Sequence, residues 1–221
     1  MILKKIYLYP DLVEFNNYPE LDKIRYETRS LCNFIERHLK GAKFQVDGFN
    51  QIGVIWRRRG GEPYIDSSNN LIIPIEFSMD RYRGTPDNEL QNFFVENLIT
   101  GLKLGVEFYS IPLDFIVKWI DVYKNSGYVN EWVVSKFKCE SLDFQFIASL
   151  NMTGFDLRIS VGKGEQELWS EYVFSTKPDE IFFDKKLGKG MLSGANVEFK
   201  DKSGLLIYKK SIKSIKNMVG L

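Results

Sequence analysis

The chain has 221 residues, enough for one large domain or two small ones. It is 44% hydrophobic and 27% charged with a formal net charge of +1, which fits an ordinary globular protein and argues against a dedicated nucleic-acid binder. Two distant cysteines and a single histidine argue against a disulfide scaffold and a clustered zinc site, and one histidine excludes every HExxH-type centre. No apolar run approaches the ~20 residues of a membrane span or forms a signal peptide, so the expected setting is the cytoplasm, with reduced thiols.

Ile2 to Tyr9 reads as a first strand cut off by Pro10, and Asp11 to Tyr18 as a loop. Pro19 opens a helix that ends at Gly41, with Leu21, Ile24, Leu31, Cys32, Ile35 and Leu39 as its apolar stripe. Cys32 falls on that stripe and is expected in the core. His38 lies in the last turn, where a partly positive imidazole is favourable beside free carbonyls. Gln51–Arg59 and Leu71–Phe77 read as strands that pair as a hairpin, with Pro74 marking an edge or a bulge. Met79–Gly84 is expected as a polar connector.

Thr85 to Tyr128 is the longest helical stretch. Thr85 is expected to cap a first helix with the stripe Leu90, Phe94, Leu98 and Leu102, weakened at its end by Gly101 and Gly105. Ser110 and Pro112 restart a second helix that buries Leu113, Ile116, Val117, Ile120 and Tyr123. Both stripes are free of charge, so the pair should lie against a sheet.

After Gly127 the period changes from helical to two. Glu131–Cys139, Leu142–Leu150, Phe155–Val161 and Glu165–Ser175 read as an antiparallel meander with one buried face. Ile181–Phe183, Val197–Phe199 and Leu205–Tyr208 add shorter strands. Gly188 to Gly194 reads as a mobile loop, and Lys209 to Val219 as a basic closing helix docked on the body. The expected fold is therefore α+β: a mixed α/β half over residues 1–128 and a mainly antiparallel half over 129–221. With no flexible linker between them, the halves should behave as one unit; proteolysis into two stable fragments would contradict this.

No dinucleotide fingerprint, P-loop, nucleophile elbow or kinase signature is present, so neither catalysis nor a cofactor is expected. The sharpest charge is Arg57-Arg58-Arg59, followed by Arg81 and Arg83. Arginine forks suit a carboxylate or phosphate partner, and Trp56, Tyr64 and Tyr82 stand beside them as apolar anchors. A second candidate surface is an acidic strand face of Glu165, Glu167 and Glu171 flanking Trp169.

Three stretches carry a family resemblance. They are Ile6-Tyr7-Leu8-Tyr9-Pro10-Asp11-Leu12, the helix-break-helix around Phe108-Tyr109-Ser110-Ile111-Pro112-Leu113-Asp114, and the hairpin-rich second half. In these the chain resembles small bacterial immunity proteins of polymorphic or contact-dependent toxin systems. The resemblance implies a cytoplasmic, non-catalytic protein that covers the active site of a cognate toxin domain, without metal or membrane. The alternative is a nucleic-acid-binding or processing protein that uses the arginine hairpin.

Overall fold

The structure is a computed structural model that describes residues 1–220. The fold is α+β and divides into two compact units, Met1–Asn130 and Glu131–Leu221.

The first unit has strands β1 (Lys5–Pro10), β2 (Gln51–Arg57), β3 (Tyr64–Ile65) and β4 (Asn70–Glu76) in the order β1-β2-β4-β3. Its helices are α1 (Leu21–Glu27), α2 (Arg29–Ala42), α3 (Met79–Gly84), α4 (Leu90–Val106) and α5 (Leu113–Asn125). β1, β2 and β4 run parallel, and only the two-residue β3 is antiparallel. The pairing of β2 with β4 is therefore not a hairpin. The chain crosses from one to the other through β3, which leaves the ends of β1, β2 and β4 together. Register places Leu8, Val54 and Ile73 in one row of the buried face. Helix α2 packs on β1, α4 on β2 and β4, and α5 on α2 and α4. Pro74 lies beyond the stretch of β4 that β3 covers, so it occupies a local edge where no N–H is required.

Parallel edge strand β1 leaves outward backbone groups that need partners. The Ile6 N–H donates to the Glu36 carboxylate at 3.2 Å, and the Ile6 C=O accepts from Arg29 at 3.4 Å. Arg29 and Glu36 also pair with each other at 3.3 Å, both buried. This ion pair closes the strand edge with side chains.

Several local expectations are corrected. The helix expected from Pro19 to Gly41 is two helices broken at Thr28. Met79–Gly84 is not a connector but α3, capped at its start by Ser78, whose hydroxyl accepts from the Arg81 N–H at 3.3 Å. Thr85 ends α3, and α4 begins after a 3-10 turn over Asp87–Glu89. Gly101 and Gly105 lie inside α4, where a methyl group would collide with Val54 and Ile73 respectively. They let the helix approach the sheet. His38 stacks on Trp119 at 3.4 Å, and burial, then Arg37, push its imidazole below its ordinary pKa, which opposes the partly positive form expected in the last turn.

The second unit has the meander β5 (Glu131–Cys139), β6 (Leu142–Leu150), β7 (Phe155–Lys163) and β8 (Gln166–Thr176). After α6 (Glu180–Phe183) come β9 (Lys189–Ser193), β10 (Asn196–Lys200) and β11 (Leu206–Ser211), paired as β11-β10-β9, and then α7 (Ile212–Met218). The inward residues of β6 and β7, Phe144 to Leu150 and Phe155 to Val161 in alternation, form one core with Val197, Phe199 and Ile215. Two expectations fail here. Ile181–Phe183 lies in a helix turn capped by Asp179, and Gly188–Gly194 contains strand β9. Gly190 is required because a side chain there would strike the Phe146 ring.

Candidate interaction surfaces

The parallel strands bring the arginines to one end of the first sheet, and the segment from Asp11 to Glu20 meets them with carboxylates. Arg57 donates to Asp11 at 3.1 Å, and Arg83 forms a two-point pair with Glu20 at 2.9 and 3.1 Å. The Arg58 N–H donates to Glu14 at 2.8 Å. Arg81 stands over the Phe93 ring, with Glu96 at 3.9 Å. The Asp11 carboxyl is raised by burial, but the N–H groups of Glu14 and Val13 and the Arg57 charge outweigh that and hold it low. Arg58 and Arg59 remain exposed. This end is a mosaic of paired charges rather than an open cationic site.

Two of the proposed anchors belong to the core. Trp56 is fully buried and stacks on Phe77 at 4.2 Å, so it reaches no partner. Tyr82 is buried with its hydroxyl donating to Glu27 at 2.8 Å. Burial, then Glu27, raises its pKa strongly. Tyr64 alone of the three is exposed.

The acidic strand does not form one face. Glu165 precedes β8. A bulge opposite Val161/Gly162 then inserts Leu168 between Glu167 and Trp169. Glu167 points outward, accepting from Ser160 at 2.5 Å and Arg158 at 2.7 Å. Glu171 pairs with Ile159 on the inner face and binds Lys210, whose ammonium stands 4.6 Å from the Trp169 ring centre. Both carboxylates are neutralised within the unit.

A third surface is visible only in the structure. Register aligns Val133, Ile147, Arg158 and Tyr172 in one row across the outer face of β5 to β8. Val133 is 47% and Tyr172 68% exposed. Glu131 at 4.0 Å and Glu167 flank Arg158 and hold its fork in the row. Ser149, Ser160, Ser170 and Gln145 occupy the neighbouring positions of this face. The signal in the sequence was Ile147, an apolar residue on the polar side of an otherwise regular alternation.

No described helix is long and apolar enough to cross a membrane, and no cluster of metal-ligating side chains is found among the described residues. No family model, curated protein or solved structure matches the chain.

Proposed function

We propose that the protein is a non-catalytic binding protein of the cytoplasm, and that it engages a partner protein through the outer face of the β5–β8 sheet. The observation that carries this reading is the row Val133, Ile147, Arg158 and Tyr172, flanked by three serines and Gln145. Tyrosine and arginine dominate interface energetics because each offers a rigid planar contact with a polar end, and serines supply adaptable hydrogen bonds around them. The resemblance to immunity proteins supplies the partner class, a toxin domain whose active site is covered. Such a role needs shape and rigidity rather than chemistry of its own.

The test is to identify the protein that co-purifies with this chain and to measure its affinity for two sets of variants. Tyr172→Ala with Val133→Asp should weaken binding by about 2 kcal/mol or more, roughly thirtyfold. Arg57→Ala, Arg59→Ala and Arg81→Ala together should change it little, because Arg57 is paired within its own unit. If the arginine set abolishes binding and the sheet-face set does not, the working surface is the arginine end. Tight RNA or DNA binding that weakens steeply with salt and is lost in the arginine set would replace this reading with the nucleic-acid one.

A further inference from the structure

The first sheet carries its helices on the face of Leu8, Val54 and Ile73, and its opposite face holds a small pit. Register lays that face out in rows. Lys5, Gln51 and Asn70 form one row, Tyr7, Gly53, Ile72 and Tyr64 the next, and Tyr9, Ile55 and Pro74 the third. Gly53 is the hollow of this grid. Tyr7, Tyr9, Gln51, Asp66, Asn70 and Ile72 surround it and enclose about 250 Å³.

Gly53 is not required by backbone conformation, since its φ is not positive, and the atoms nearest a Cβ there would be the flexible Ile55 and Ile72 δ carbons at 3.2 and 3.5 Å. A glycine in a central strand lowers strand stability, and it commonly marks a place where something approaches the backbone closely. The polar wall is pre-oriented. Asp66 accepts from the Asn70 side-chain amide at 2.9 Å, and Asn70 accepts from Gln51 at 2.7 Å. With one N–H given to Asn70, the Gln51 amide keeps its carbonyl and a second N–H, a coplanar acceptor and donor. Tyr7 accepts from the Lys5 ammonium at 3.0 Å, which leaves its own proton to donate, and Lys5 is exposed at the rim.

We propose that this pit binds a nucleobase, carried by a free nucleotide or by an unpaired stretch of nucleic acid. A flat heterocycle fits over Gly53 with a tyrosine ring against it, and the Gln51 amide reads a base edge that offers the complementary donor and acceptor. This inference is independent of the protein-binding reading, which concerns the other unit.

The experiment is an NMR titration of the full chain with AMP, GMP, CMP and UMP, a short oligouridylate, and glucose as a carbohydrate control. Saturable shifts at Tyr7, Gln51 and Gly53 with at least one nucleotide are expected. Equal affinity for nucleotide and oligonucleotide assigns the free nucleotide; much tighter oligonucleotide binding assigns the single strand. Gly53→Val, which fills the pit, should abolish the shifts. Gln51→Ala, at a half-buried position that leaves the core untouched, should weaken them about tenfold. Absence of saturable binding by every nucleotide probe overturns the proposal. So does binding unchanged in a folded Gly53→Val or Gln51→Ala protein, or displacement of nucleotide by glucose.

Discussion

In the N-terminal unit Glu27, Thr28, Arg29, Ser30, Asn33, Glu36 and Asn130 are all buried, whereas the buried polar residues found in the C-terminal unit are Ser160 and Glu198. The difference follows from how each sheet is closed. A parallel edge strand covered by a helix meets no second strand, so side chains must supply its donors and acceptors. Arg29 and Glu36 do this for Ile6, and Asn130 extends the network by donating to the Ser30 carbonyl at 2.8 Å. In the C-terminal unit two antiparallel sheets stack apolar faces, and their edges are tied at half-exposed positions, as in Ser135 donating to the Gly190 carbonyl at 3.0 Å. One unit is held by a polar lock over an apolar core, the other by apolar packing.

The sharpest way to break this contrast is to remove one half of the lock. Glu36→Ala leaves a buried guanidinium and an unpaired Ile6 N–H, and should cost about 3–5 kcal/mol in urea unfolding. Glu36→Leu with Arg29→Met should recover only the part due to the uncompensated charge, because the Ile6 N–H and C=O then stay without side-chain partners. A double variant as stable as the parent would mean that the pair is not needed as an edge cap. The corresponding lesion in the C-terminal unit is steric. Gly190→Ala drives a methyl into Phe146 and should cost about 1–3 kcal/mol, as should Gly101→Ala against Val54.

Smaller effects compare the surface charges. The folded Asp11 carboxyl is held below its ordinary pKa, so its contribution is present above the unfolded pKa and lost as pH falls through the folded one. Asp11→Asn should therefore cost about 1 kcal/mol at neutral pH, and the gap to the parent protein should close toward acid pH. Glu167 is also lowered, first by the Ser160 hydroxyl and then by Arg158, and Glu167→Gln should follow the same direction with a smaller amplitude because the pair is exposed. The smallest effect is spectroscopic. His38 should titrate below about 6.5 in NMR, and Trp119→Ala should move it upward by exposing the ring to water. A titration at or above the ordinary value in the parent would show that the stacked ring is open to solvent.

Local pattern determined much of the C-terminal unit. Alternation set β5 and β6 to the residue, and placed Phe144, Phe146, Ala148 and Leu150 on the buried side, because a strand with one covered face writes a period of two into its own sequence. The stripe of α4, the buried Ile116, Ile120 and Tyr123 of α5 and the burial of Cys32 were legible for the corresponding helical reason, whereas Leu113 and Val117 are only half-buried. Tertiary structure decided the rest. Alternation says which side chains share a face and nothing about what covers it, so Trp56 read as an anchor beside three arginines until Phe77 closed over it. Glu167, Trp169 and Glu171 shared a face by counting until a bulge, which exists only against a partner strand, put Glu167 on the other side. The five arginines were placed in a hairpin because neighbours in sequence usually pair as neighbours in space. The parallel crossover through β3 placed Arg57, Arg58 and Arg83 instead against Asp11, Glu14 and Glu20, and Arg81 near Glu96. Pairing partners, bulges and covering layers are set by residues far along the chain, and no window of local sequence contains them.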